Sequence, residues 1–227
     1  MGEKIIPVIT IDGPSGVGKG TISRLLAQKL GWHLLDSGAL YRLTALAASR
    51  HGIALDDEVA VASIGRELPV EFLAEGDEEL KIILEKQDVT NDIRSEQAGE
   101  NASRVAALPL LREALLQRQR DFAVLPGLVA DGRDMGTTVF PEAAHKFFLD
   151  ASAEVRAKRR YNQLKQKGFS ASLRSLIEEI EQRDQRDRSR AVSPLRAADD
   201  AITIDTSLMN IDEVFNEVYS QCSEFHR

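Results

Sequence analysis

The sequence predicts an α/β fold built on a parallel sheet. Three observations carry that expectation: a β-branched run at residues 5–11 ending in Asp12-Gly13-Pro14, a helix-periodic segment directly after this glycine-rich turn, and a second strand–turn–helix unit that follows at once. The first run is continuous rather than alternating, as suits a strand buried on both faces. Pro7 lacks a ladder donor and is tolerated only near its start. Within residues 19–30, Ile22, Leu25, Leu26 and Leu30 recur at helical spacing until Gly31 stops the pattern. Residues 32–35 then read as a short strand, Asp36-Ser37-Gly38 as a turn, and residues 39–49 as a helix rich in Ala and Leu.

Between residues 69 and 89 the pattern changes to the short, partly alternating runs PVEFL, ELKIIL and QDV. The charged turns Glu75-Gly76-Asp77 and Glu85-Lys86 separate them, which predicts a small antiparallel insert. Helical periodicity returns over residues 96–122 with a break at Pro109, and Gly127 leads into an apolar strand at residues 128–131 that ends in a carboxylate. Residues 145–149 give a further strand. Residues 153–190 read as two charged helices joined at Gly168, residues 201–204 as a last strand and residues 211–222 as a closing helix.

Composition narrows the function classes. The 227 residues suit one domain with an insertion as well as two equal halves, and 43% hydrophobic with 29% charged residues excludes disorder as the main state. A net charge of -7 argues against coating nucleic acid through overall basicity, so any anion site is local. Residues 156–190 hold eleven Lys and Arg against five Asp and Glu, one cationic arm on an acidic chain. The single Cys222 makes no intrachain disulfide, and the four histidines lack ligand spacing, so no zinc site is expected. No run has the length of a membrane span, and the start MGEKIIPVITIDG lacks the longer apolar run of a signal peptide, so a cytoplasmic location is expected.

Four segments carry chemistry. GPSGVGKGT places Gly13, Gly18 and Lys19 at the spacing of a phosphate-binding loop, between a predicted strand and a predicted helix. There backbone N–H groups and the helix dipole converge on an anion. Gly20 stands where a Mg²⁺-binding Ser or Thr often sits, with Thr21 one place later. In LLDSGALYR, Ser37 and Arg42 follow a strand's C-terminal end, where open α/β sheets bind ligands and where Arg42 has the fork geometry for phosphate; a simple helix cap at Asp36-Ser37 is the alternative. In ADGRDMGT, Asp131 ends a strand as a carboxylate that reaches Mg²⁺ through water does, and Arg133 and Asp134 add a cation and an acceptor. A loop with a surface ion pair is the alternative there. In RDQRDRSR, Arg183, Arg186, Asp187 and Arg190 share one helix face, and Arg156, Arg159 and Arg160 form another upstream. A solvated face with pairs such as Asp184 and Arg188 is the alternative. The chain has no Asn-Lys-x-Asp or Asp-x-x-Gly of a regulatory GTPase.

From ITIDGPSGVGKGT through HLLDSGALYR, NDIR, NASRVAALPLLREALLQRQR, GLVADGRDMGTTVFP, KFFLDAS and RRYNQL to RDQRDRSRAVSPL, the sequence resembles the bacterial cytidylate kinases among the nucleoside monophosphate kinases. The resemblance implies a three-layer fold of the P-loop NTPase type with a five-stranded parallel sheet. It divides the chain into a core (residues 1–62, 105–155 and 191–227), an inserted monophosphate-binding subdomain (63–104) and an arginine-rich helical lid (156–190). It implies ATP as phosphoryl donor, held by Gly13, Pro14, Ser15, Gly16, Val17, Gly18, Lys19, Gly20 and Thr21, with Mg²⁺ near Asp131 through water. Ser37, Arg42, Arg133 and Asp134 would bind CMP or dCMP, Ser103 and Arg112 would help read cytosine, and Arg183 and Asp187 would hold the ribose. Lys19, Arg159, Arg183 and Arg190 would be catalytic, neutralising the phosphates. Gly20 after Lys19 is shared with the similar adenylate kinases. A monomer acting on small molecules, without nucleic-acid or membrane partners, is expected; a kinase of another small anionic acceptor such as UMP is the alternative.

Overall fold

The computed structural model describes residues 6–73, 81–166, 168 and 170–225; Ile5 of the expected first strand and the expected Glu75-Gly76-Asp77 turn lie outside them. In chain order the elements are β1 (Val8–Asp12), α1 (Lys19–Leu30), β2 (His33–Asp36), α2 (Ser37–Arg50), α3 (Glu58–Glu67), β3 (Val70–Leu73), β4 (Lys81–Leu84), β5 (Gln87–Asp88), α4 (Glu96–Val105), α5 (Pro109–Arg120), β6 (Leu128–Gly132), β7 (His145–Asp150), α6 (Ala153–Gln166), α7 (Leu173–Ser189), β8 (Ile202–Asp205) and α8 (Ile211–Ser220). A single wide helical turn, Met135–Val139, follows β6. Two compact units are distinguished: Met1–Asp36 with Gln119–Arg227, and Ser37–Arg118.

The first unit holds a five-stranded sheet in the order β2-β6-β1-β7-β8, every pairing parallel. All five residues of β1 are buried, as its continuous apolar run requires, and Pro7 sits just before the strand, where its carbonyl accepts from the Leu128 N–H at 3.0 Å. Ile9, Ile11, Val129, Phe147 and Leu149 share a core with Ile22 and Leu26 of α1 and Val214 and Val218 of α8, so these two helices cover one face of the sheet. Register brings carboxylates together at the C-terminal edge: Asp12 lies level with Gly132, and Asp36 with Asp131. That edge is where open parallel sheets present their ligand-binding loops.

The second unit contains the antiparallel sheet β3-β4-β5, as the alternating runs suggest. Glu85 and Lys86 both take positive φ (51° and 67°), the geometry of a two-residue hairpin turn whose twist matches its strands. Leu84, Val89 and Ile93 pack there with Ala39 and Leu43 of α2.

Two expectations need correction, and one helix was not foreseen. No turn separates β2 from α2: the strand runs to Asp36 and Ser37 is already helical. The long helical pattern breaks at residues 106–108, and Pro109 opens α5, the position where its missing N–H costs nothing. Helix α3 was not expected from the pattern; Asp57 caps it by accepting from the Ala60 N–H at 3.1 Å.

Candidate active site

The glycine-rich segment lies between β1 and α1, as its sequence context requires. Gly13, Gly16 and Gly18 all have positive φ. Gly13 is the most constrained, since a Cβ there would stand 2.1 Å from the Leu149 carbonyl oxygen. Gly18 ends the loop as the residue before α1 and offers no side-chain cap. The first N–H groups of the helix therefore lack the usual side-chain acceptor and are suited to an anion.

Lys19 is buried beneath this loop, its ammonium donating to the Pro14 carbonyl at 2.9 Å and standing 4.0 Å from Asp131 Oδ1. Burial, with the Arg133 guanidinium next, pushes its pKa from 10.5 down to about 7, against the upward pull of Asp131 and Asp12. An anion bound at the loop would reverse this. At pH about 8, where nucleotide phosphates are fully ionised, ATP binding is therefore expected to take up a proton, read by calorimetry as a binding heat that varies with the ionisation enthalpy of the buffer. A heat independent of buffer would contradict the assignment. Gly20 packs against the Asp131 carboxylate, which would lie 3.3 Å from a Cβ at that position. Thr21 is half-buried in the first turn of α1. Among the described residues no group of three His, Cys, Asp or Glu gathers to hold a metal. A single buried carboxylate at Asp131 nevertheless fits Mg²⁺, which keeps most of its water and shares substrate phosphates.

The arginine-rich arm packs onto this unit. Asp187 is buried, and Arg133 Nε donates to its Oδ2 at 3.1 Å. Burial alone would raise the Asp187 carboxyl, but Arg133, Arg190 and Arg183 outweigh it and hold the pKa below 3.8. A depressed carboxylate stabilises the fold above pH 3.8 and loses that contribution as the pH falls through its folded value. Asp187→Ala is expected to destabilise by about 3 kcal/mol at neutral pH, because buried guanidinium charge loses its partner, and urea unfolding checks this. Arg190 is also buried, its Nε donating to the Asp187 carbonyl at 3.2 Å, and Asp134 is buried at the start of the Met135–Val139 turn.

The alternative of a fully solvated arginine face does not hold for this arm. Arg156 is 2% exposed and donates to the Ala151 and Ser15 carbonyls, each at 2.9 Å, and to both oxygens of Asp184. Asp184 is thus taken by Arg156, and Arg188 stands instead 3.8 Å from Asp150. Arg159 is half-buried and turned to the loop after β8, where it donates to the Thr206 hydroxyl (3.2 Å) and carbonyl.

In the Ser37–Arg118 unit, Ser37 and Ser103 are buried and Arg42 donates to the Ile93 carbonyl at 2.9 Å. Arg112 is buried, donates to the Ala106 carbonyl at 3.1 Å and lies over the Tyr41 ring with its guanidinium carbon 5.6 Å from the centroid. Sequence reasoning missed Asp12, whose buried carboxylate accepts from two backbone N–H groups of the loop beyond Arg133. Only its place at the end of β1, next to Gly13, hinted at it.

No described helix is long and apolar enough to cross a membrane. The sequence model of the family described as cytidylate kinase matches residues 9–224. The cytidylate kinase of Shewanella denitrificans is 60% identical over 213 residues, covering 93% of this chain and 94% of that protein. The cytidylate kinase of Aeromonas salmonicida is 55% identical over 221 residues, covering 97% and 96%. The resemblance read from the motifs is borne out along nearly the whole sequence: the chain belongs to the cytidylate kinase family.

Proposed function

We propose that the chain transfers the γ-phosphoryl group of ATP to CMP or dCMP, giving CDP or dCDP and ADP. The observation that carries this reading is the uncapped start of α1 with the buried Lys19 ammonium beneath it, in a chain of the cytidylate kinase family. Another small anionic acceptor such as UMP is not favoured by that family membership.

In the proposed reaction an acceptor phosphate oxygen attacks the γ-phosphorus in line, a new P–O bond forms, and the bridging bond to the β-phosphate breaks to release ADP. The acceptor's second pKa of about 6 leaves it mostly dianionic at neutral pH, so no general base is needed. Gly13, Pro14, Ser15, Gly16, Val17, Gly18, Lys19, Gly20 and Thr21 hold the donor phosphates. Asp131 would hold Mg²⁺ through water, which would neutralise charge on the donor phosphates. Arg183 and Arg190 neutralise charge from the arm, and Arg159 joins them by releasing Thr206 when the lid, residues 156–190, closes. Closure keeps water from taking the phosphoryl group.

For the acceptor, Arg133 and Asp134 bind the monophosphate substrate and Arg183 and Asp187 hold its ribose. Ser37 and Arg42 bind it too, residues 63–104 form the monophosphate-binding insert, and Ser103 and Arg112 read the base. Calorimetric titration tests this assignment: wild type is expected to prefer CMP over UMP, and Ser103→Ala to narrow that preference by about tenfold, since it leaves one base-reading partner unpaired. An unchanged preference would remove Ser103 from base reading.

A further inference from the structure

Asp12 is not part of the glycine-rich loop and holds no position in the expected acceptor site, yet it is buried and bonded through both carboxylate oxygens. It ends β1, is 4% exposed, and its two carboxylate oxygens accept separately from consecutive backbone N–H groups: Oδ1 from Met135 at 2.9 Å and Oδ2 from Gly136 at 2.8 Å. Those residues open the Met135–Val139 turn, directly after Arg133 and Asp134. On its other side Asp12 adjoins Gly13, which is held against the Leu149 carbonyl with no room for a side chain. One buried carboxylate thus ties the first residue of the donor loop to the segment carrying Arg133 and Asp134. Gly136 itself is closely packed, because a Cβ there would stand 2.9 Å from the Thr10 hydroxyl.

We infer that Asp12 is a positioning residue for phosphoryl transfer, fixing the distance between the donor loop and the acceptor-binding pair Arg133 and Asp134 through its two bonds to the Met135 and Gly136 N–H groups. The inference rests on the proposed roles of Arg133 and Asp134 toward CMP. Its physical basis is that a carboxylate accepts both N–H groups, whereas an amide of the same shape accepts one and turns an N–H₂ toward the other. Asp12 is kept there although burial pushes its carboxyl up to about 7, against the lowering effect of the Gly136 and Met135 bonds. A hydrophobic residue would avoid that cost but leave the Met135 and Gly136 N–H groups without their acceptor, and misplacement of a reacting group by an ångström costs about 10²-fold in rate.

The test is a double-mutant cycle on full-length protein with Asp12→Asn and Arg133→Ala, reading kcat and KM for CMP and for ATP separately. Asp12→Asn is expected to lower kcat/KM for CMP by about 10²-fold in the wild-type background and by less than about threefold with Arg133→Ala present, while KM for ATP stays within about twofold. Equal losses in both backgrounds, or an equal rise in KM for ATP, would overturn the inference and leave Asp12 a structural residue. If Arg133→Ala itself leaves kcat/KM for CMP unchanged, the acceptor assignment fails instead. Should Asp12→Asn not fold, hydrogen exchange on the wild-type protein decides: the Met135 and Gly136 amides are expected to exchange as slowly as those of β1, and exchange as fast as exposed loop amides would overturn the inference.

Discussion

Replacing Lys19 with methionine is expected to leave a folded protein whose turnover falls by at least about 10²–10³-fold. The stem of the side chain lies buried beneath the loop, and methionine retains most of that volume while removing the charge. Stability moves the other way from activity. The folded protein holds Lys19 at about 7 while the unfolded chain holds it near 10.5, so stability rises with pH across that window and the full cost of the buried ammonium is present below it. Lys19→Met removes that cost and also the bond to Pro14, so at pH about 6 its melting temperature is expected to equal or exceed that of wild type. Wild-type turnover in this variant would take the loop out of the mechanism. A collapse of the fold would make Lys19 a structural residue.

Arg183→Ala is expected to lower kcat by about 10²-fold while costing about 1 kcal/mol or less of stability. Arg183 is half-buried on α7, close enough for its charge to act on both Lys19 and Asp187. Asp187 keeps Arg133 and Arg190 when Arg183 is removed, so no buried carboxylate is left alone and the stability loss stays small. Removing Arg156 is the useful contrast. That guanidinium is almost wholly enclosed and holds Asp184, Ser15 and Ala151 together, so Arg156→Ala is expected to lose about 3 kcal/mol, measured by urea unfolding. If Arg183→Ala destabilised as much as Arg156→Ala, the arm would be a structural strut rather than part of the chemistry.

What was legible in the sequence is what short range determines. The order of glycines before Lys19, the apolar run of β1 and the periodicity of α1 lie within one stretch of chain, and the structure follows them closely. The hairpin at Glu85-Lys86 was legible from flanking alternation, although neither residue is the Gly or Asn that positive φ usually attracts. Helix α3 was not, because Val59-Ala60-Val61-Ala62 is apolar at every position and gives no helical spacing; Val59 is 71% exposed while Val61 is buried. There the deciding signal was Asp57, a cap that only makes sense before a helix.

The partners of the charged residues were hidden for a different reason. Asp12 meets Met135 across 123 positions and Arg156 meets Ser15 across 141, and no local pattern encodes either contact. Sequence spacing put Asp187 on an arginine face, which identified the company it keeps but not that Arg133 would supply the bond. It also offered Arg188 as partner for Asp184, where burial favoured the enclosed Arg156 over an exposed neighbour one turn away.

The central claim, that this chain phosphorylates a cytosine monophosphate, is tested most directly by ADP release from Mg-ATP with CMP, dCMP, UMP, AMP and GMP offered singly beside a control without acceptor. Fast release confined to CMP and dCMP is the predicted result. Release that is no faster with any monophosphate than without one would contradict it.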